Sequence, residues 1–174
     1  AELGGIDIVV ANVSALAQDN KPETWKASFE IDIMGTVNTV QNALPHVEKS
    51  KAGALVAISS TAGVSANGPV RAYNPIKSAI ITYMALQATN LAPKNIRSNT
   101  VSPGMIYFED GVWGKREREQ PEIFKRSLAM NPMGRMGTPQ EVANAVAFVA
   151  SPCASFITGA NIMVDGALTR RVQF

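Results

Sequence analysis

Cysteine is nearly absent: Cys153 is the only one in 174 residues, so no intrachain disulfide can form. That fits a reducing compartment, and a cytoplasmic location is the expectation. Histidine is equally scarce. His46 stands alone near a helix end, which argues against a metal site. No run of 18 apolar residues occurs, so no membrane span is indicated. The opening residues, Ala1-Glu2-Leu3-Gly4-Gly5, lack the charged and apolar regions of a signal peptide. Net charge is low as well. Sixteen Lys and Arg against fourteen Asp and Glu leave +2, too little to imply nucleic acid or an anionic membrane as partner. The densest basic run, Lys115-Arg116-Glu117-Arg118, is broken by an acid and reads as a solvated face.

What is present is an ordinary globular composition, 46% apolar and 17% charged, in a chain long enough for one domain with a real core, spanning residues 1–174. Residues 6–11 (IDIVVA) form a β-branched apolar run expected to be a buried parallel strand. From Pro22 a helical pattern begins, with Trp25, Phe29, Ile33, Val37, Val40 and Leu44 on one apolar face and Pro45 near its end. Residues 53–59 predict a second strand, 63–69 a loop, and 73–91 a second long helix with Pro93 just beyond it. A third strand follows over 96–101, closed by Ser102-Pro103-Gly104. Residues 105–133 are irregular, with short helices expected around 109–118 and 121–130. Thr138, with Glu141 three residues later, has the capping-box pattern and opens a helix through Ala150. A last strand is expected over 160–164. Strand and helix alternate throughout, which predicts an α/β fold with a parallel sheet and right-handed crossovers.

In such sheets function sits at the carboxyl ends of the strands. Ser59-Ser60 ends the second strand there, Ser102-Pro103-Gly104 ends the third, and Tyr73 and Lys77 begin the long helix between them. Four residues apart, Tyr73 and Lys77 share one helical face. A tyrosine of pKa about 10 is a poor acid–base near neutrality, but a nearby ammonium favours its phenolate. Ser60 could hydrogen-bond a carbonyl or alcohol oxygen. The three together suit proton transfer at an oxygen. A Tyr–Lys pair alone is common on helices and carries little.

Ser60, twelve residues, Tyr73, three residues and Lys77 together resemble the catalytic set of the short-chain dehydrogenase/reductase family. GALVAISSTAG over 53–63 is similar to the strand before its catalytic serine. Ser102-Pro103-Gly104 is similar to its turn beside the nicotinamide, residues 136–143 to its late helix start, and Ile157-Thr158-Gly159 and Val164-Asp165-Gly166 to its closing strand. The resemblance covers essentially all 174 residues. It implies a doubly wound, Rossmann-like parallel sheet and an NAD- or NADP-dependent oxidoreductase interconverting a secondary alcohol and a ketone. By that resemblance Tyr73 is the general acid–base, and Lys77 lowers its pKa and holds the nicotinamide ribose. Ser60 orients substrate. Asp32 stands at the family's asparagine, which binds a water in a proton relay. Asn12, Val13, Tyr73, Lys77, Pro103, Gly104 and Ile106 are the implied cofactor contacts. Ser60, Tyr107 and Trp113 are the implied substrate contacts. The helices around 32–44 and 73–91 resemble those of the family's four-helix dimer contact, implying a homo-oligomer, dimer or tetramer.

The sequence also departs from the family. No Gly-x-x-x-Gly-x-Gly occurs, the turn that offers backbone N–H groups to a pyrophosphate. Residue 1 falls just before the family's fourth strand, so about 70–80 residues are unmatched and the chain is expected to be part of a longer protein. Without them the first strand would be an unprotected edge. Phe108 stands where many members bind the carboxamide with threonine, and Val13-Ser14 replaces Ala-Gly. These departures keep a second reading open, that of a non-catalytic binding or assembly member or an inactive fragment. Substrate identity and the choice between NAD and NADP are not set by the residues present. Met130, Met133 and Met136 read as gap-fillers.

Overall fold

The computed structural model describes residues 4–66 and 68–170. The first and last residues of the expected domain, 1–3 and 171–174, lie outside that description.

Four strands form one parallel sheet in sequence order: β1 (Ile8–Ala11), β2 (Ala54–Ile58), β3 (Arg97–Pro103) and β4 (Asn161–Val164). Register runs Val9 to Leu55, Leu55 to Ser98 and Val101 to Ile162. Because all strands are parallel, their carboxyl ends share one edge of the sheet. Side chains alternate between its faces. Leu55 and Ala57 point to one face with Val9 and Ala11, against α2 (Gly35–Val47) and α3 (Tyr73–Leu91) through Val40, Val47, Ile80, Met84 and Leu91. Val56 and Ile58 point to the other, with Val101, against Val149 and Ala150 of α6 (Pro139–Ala150).

The helices thus cover both faces, as a doubly wound sheet requires. The sheet steps the same way at every connection, yet α2 and α3 lie on one face and α6 on the other. The last crossover is therefore opposite in hand to the first two, a correction to the expectation of right-handed crossovers throughout. The preference belongs to compact strand–helix–strand units. Residues 104–160, which also hold α4 (Val112–Glu119) and α5 (Pro121–Ala129), are free of that constraint.

Burial on β3 is achieved with polar residues, of which Arg97, Ser98, Asn99 and Ser102 are satisfied by side-chain hydrogen bonds. Asn99 accepts from the Ala160 N–H at 3.0 Å and donates to the Ile157 carbonyl at 2.8 Å. The Arg97 guanidinium donates to the carbonyls of Val149, Ala150 and Ser151, closing the C-terminus of α6. At the other end of α6, Thr138 and Glu141 complete both halves of the expected capping box.

The long helix after β1 differs from its apolar pattern. It runs as α1 (Pro22–Ser28), a π-helical segment (Phe29–Met34) and α2. Its buried row is Ser28, Asp32, Thr36 and Val40, while Phe29 and Ile31 stand 49% and 45% exposed. The apolar stripe read from the sequence is therefore offset from the face that is buried. The helix turns polar groups inward at this point, and π-helical turns of this kind occur often at functional sites.

Candidate active site

The carboxyl edge brings together residues from four segments. β2 ends at Ile58, and the chain turns through Ser59 and Ser60 into a short 3-10 turn (Thr61–Gly63). Two contacts press this turn onto α3. The Ser59 hydroxyl donates to the Lys77 carbonyl at 2.8 Å. Gly63 approaches so closely that a Cβ there would lie 2.8 Å from the Lys77 carbonyl carbon, which only glycine tolerates. Ser60 is thereby held beside the first turn of α3, where Tyr73 begins the helix and Lys77 follows one turn later.

Lys77 and Asp32 form a buried ion pair. Nζ lies 3.0 Å from Oδ1, and the side chains are 3% and 2% exposed. The contact is charge to charge, not an aligned hydrogen bond, since Oδ1 accepts none among the described residues. Asp32 Oδ2 accepts the Ala15 N–H at 2.8 Å, so one carboxylate fixes both the lysine and the loop after β1. In that loop Leu16 holds a left-handed backbone (φ 50°), uncommon for a branched side chain. Lys77 Nζ also approaches the Ile58 carbonyl at 3.4 Å and lies 5.6 Å from the centre of the Tyr73 ring. Burial pushes the Tyr73 phenol above its ordinary value; the Ser60 hydroxyl opposes this by favouring the phenolate, and the charge of Asp32 adds to the rise.

Two openings flank this group. A cleft of about 580 Å³ is lined by Ser60, Tyr73, Gly104, Ile106, Phe108 and Trp113, among others. Beside it, an apolar groove of about 720 Å³ is lined by Val10, Asn12, Ile58, Pro103, Ile106 and Phe108, along with residues of α6. Of the residues expected at cofactor or substrate, Asn12, Pro103, Gly104, Ile106, Tyr73, Ser60 and Trp113 line one opening or the other.

Three do not. Lys77 lines neither opening and is buried against Asp32. Val13 lines neither opening, and its Cγ2 sits 3.1 Å from where a Cβ on Gly35 would stand. Tyr107 turns away from the cleft: its hydroxyl donates to Glu117 Oε2 at 2.5 Å, and its ring meets Phe124 edge-on at 6.1 Å. That acidic partner disfavours the phenolate and raises the Tyr107 pKa. The neighbouring Phe108 takes the place at the cleft instead.

The structure also adds residues. Arg71, Lys115 and Arg116 line the cleft with Ser60 and Tyr73. Lys115 and Arg116 belong to the run read as a solvated face; the signal available was Trp113 three residues before Arg116, on one helical side. Among the described residues no cluster of three His, Cys, Asp or Glu could hold a metal, and no helix is long and apolar enough to cross a membrane.

A nicotinamide ring fits the edge as built. The groove between Asn12, Pro103 and Ile106 is open and apolar. It adjoins the Tyr73 cleft through Ile106 and Phe108, which line both. Gly104 keeps the turn close: a Cβ there would lie 2.7 Å from Asp165 Cβ.

Comparison with known proteins gives concordant matches. A family model described as enoyl-(acyl carrier protein) reductase matches residues 1–169. The isoepoxydon dehydrogenase patN of Aspergillus clavatus is 39% identical over 173 residues, covering 99% of this chain and 67% of that protein. The crystal structure of an oxidoreductase of the short-chain dehydrogenase/reductase family from Burkholderia thailandensis superposes with a TM-score of 0.86 at 29% identity, over 96% of this chain and 66% of that one. A structure of ElxO with NADP bound superposes with a TM-score of 0.87 at 29% identity, over 96% and 68% of the two chains. The chain thus spans about two thirds of the length of these relatives.

Proposed function

The chain belongs to the short-chain dehydrogenase/reductase family of oxidoreductases, and on that premise we propose that it interconverts a secondary alcohol and a ketone with NAD or NADP. The observation that carries the reading is the convergence of Ser60 and Tyr73 on one cleft wall, beside a groove lined by Asn12, Pro103 and Ile106. When bound, the dinucleotide supplies the hydride acceptor or donor.

The chain's own residues do the rest. Asn12, Pro103, Gly104 and Ile106 hold the nicotinamide end, and Trp113 and Phe108 close over the substrate. Ser60 donates to the substrate oxygen and fixes the carbon that reacts. In oxidation Tyr73, as phenolate, takes the hydroxyl proton of the alcohol. In reduction, as phenol, it returns that proton to the carbonyl oxygen. Asp32 pins Lys77 through one oxygen and the Ala15 loop through the other, so its part is positional and electrostatic.

Phe29 and Ile31, exposed beside α2, and Leu86, exposed on α3, support docking of a second copy through these helices. Light scattering at increasing concentration checks this, and a strict monomer would refute it. Such a protein working in a reducing cytoplasm would keep the exposed thiol of Cys153 free.

The catalytic reading is tested by following reduced-nicotinamide absorbance with NAD and NADP over a panel of secondary alcohols and ketones. Turnover of at least one class with one dinucleotide is expected. Binding of neither dinucleotide and turnover of no substrate would sink it.

A further inference from the structure

Three cations converge on the cleft that holds Ser60 and Tyr73, and none of them forms an ion pair among the described residues. Arg71 enters from the loop two residues before Tyr73. Lys115 and Arg116 come from α4. The ion pairs formed among the described residues are Lys77–Asp32, Lys94–Glu48, Lys125–Glu122 and Arg135–Glu141, and none involves these three. Among the described residues the Arg71 side chain donates to the neutral Gln18 side chain, at 3.1 Å. The Arg116 guanidinium lies over the Trp113 ring at 4.8 Å, a stack that holds its plane and leaves its edge N–H groups available. A single carboxylate, Asp110, lines the same cleft. The charge of buried Lys77 is already cancelled by Asp32, so the charge at the cleft is that of Arg71, Lys115 and Arg116 against Asp110.

The remaining lining is apolar, with Leu16, Ile106, Val112 and Trp113 among it. From this arrangement we infer that the cleft selects a substrate with an apolar body that carries, besides the reacting carbon, an anionic group, carboxylate or phosphate. The identification of the Ser60–Tyr73 end as the reacting end rests on the proposed function; the anion site does not. Unpaired guanidinium and ammonium groups over apolar walls hold an anion by charge-assisted hydrogen bonds and leave a neutral isostere without that contact. They also draw anions toward the mouth, an attraction that salt screens.

The test separates binding from turnover. In a Trp25→Phe protein, Trp113 is the remaining tryptophan and reports on the cleft. Its fluorescence is titrated with cyclohexanecarboxylate, cyclohexyl phosphate and the uncharged cyclohexanecarboxamide. Both anions, or one of them, should bind about tenfold more tightly than the amide at low ionic strength, and which does so identifies the group selected. That preference should shrink in about 0.5 M salt. Arg71→Gln and Arg116→Gln should each reduce it, and Lys115→Gln, at an exposed position, should reduce it without touching the fold. Equal affinity for all three ligands, no binding of any, or a preference that survives the three substitutions would overturn the inference. If the preference holds while no alcohol or ketone is turned over, the redox reading fails and the anion site stands. If neutral and anionic ketones are reduced alike, the anion site fails and the redox reading stands.

Discussion

Replacing Asp32 by asparagine removes one charge from a pair that water does not reach. At 3.0 Å the attraction between Lys77 Nζ and Asp32 Oδ1 amounts to about 5–6 kcal/mol at an effective dielectric of about 20. Desolvating two ions offsets most of that, so the pair's net worth is far smaller. Deleting one partner is another matter, because it strands the other charge at a cost of about 3–5 kcal/mol. Asparagine keeps an oxygen for the Ala15 N–H, so a loss of about 3 kcal/mol is expected. In a domain of this size that corresponds to a fall in Tm of about 6–12 °C.

The same substitution changes the titration of Tyr73. Burial first, and then the carboxylate of Asp32, hold that phenol above its ordinary value, against the Ser60 hydroxyl. The facing charged groups are Lys77 on α3 and Asp32 on the π-helical segment, with Arg71, Asp110, Lys115 and Arg116 around the cleft. Removing the Asp32 charge withdraws one of the two raising influences, so Tyr73 ionises at lower pH. Oxidation, which needs the phenolate, should gain its rising limb at lower pH, and reduction should lose activity at lower pH. A raised phenol contributes stability below its unfolded value of about 10 and loses it as pH climbs further, so in the native protein this term weakens only in alkali. The assay is tyrosinate absorbance against pH for native and Asp32→Asn proteins, each referenced to its Tyr73→Phe counterpart. An onset that stays put or moves to higher pH would refute the reasoning, whatever happens to stability.

Two further outcomes follow from the fold. Arg97→Met removes three hydrogen bonds to the Val149, Ala150 and Ser151 carbonyls and should cost about 2–4 kcal/mol, read as a lower denaturant midpoint; an unchanged midpoint would deny Arg97 its capping role. The carboxyl of Glu141 is held at about 2 by Arg135 first and the Thr138 N–H next, so its stabilisation is present above pH about 4.5 and disappears as pH falls toward 2. Glu141→Gln should flatten acid unfolding over that window, and an unaltered acid transition would contradict it.

Much of this was legible in the sequence because the periodic signals were strong. The span 73–91 and the capping box at Thr138 stand where spacing places them, whereas Ser102 and Pro103, read as a closing turn, continue β3 and pair with Met163 and Val164. The failures have physical causes. The helix after β1 buries Ser28, Asp32 and Thr36 in place of Phe29, since the Asp32–Lys77 pair takes the inward face and overrides the apolar stripe. Spacing could not show that Tyr107 is captured by Glu117, nor that Lys77 and Asp32, 45 positions apart, meet in a buried pair. The basic run of α4 looked like an ordinary solvated face because its relation to Arg71 exists only in three dimensions.

The central claim is that the Tyr73 hydroxyl moves the proton. Tyr73→Phe, assayed by reduced-nicotinamide absorbance on a substrate that the native protein turns over, tests it most directly. The account predicts a loss in kcat of about 10²–10⁴-fold with little change in Tm. Turnover at the native rate would contradict it and leave the chain as a binding or assembly member of its family.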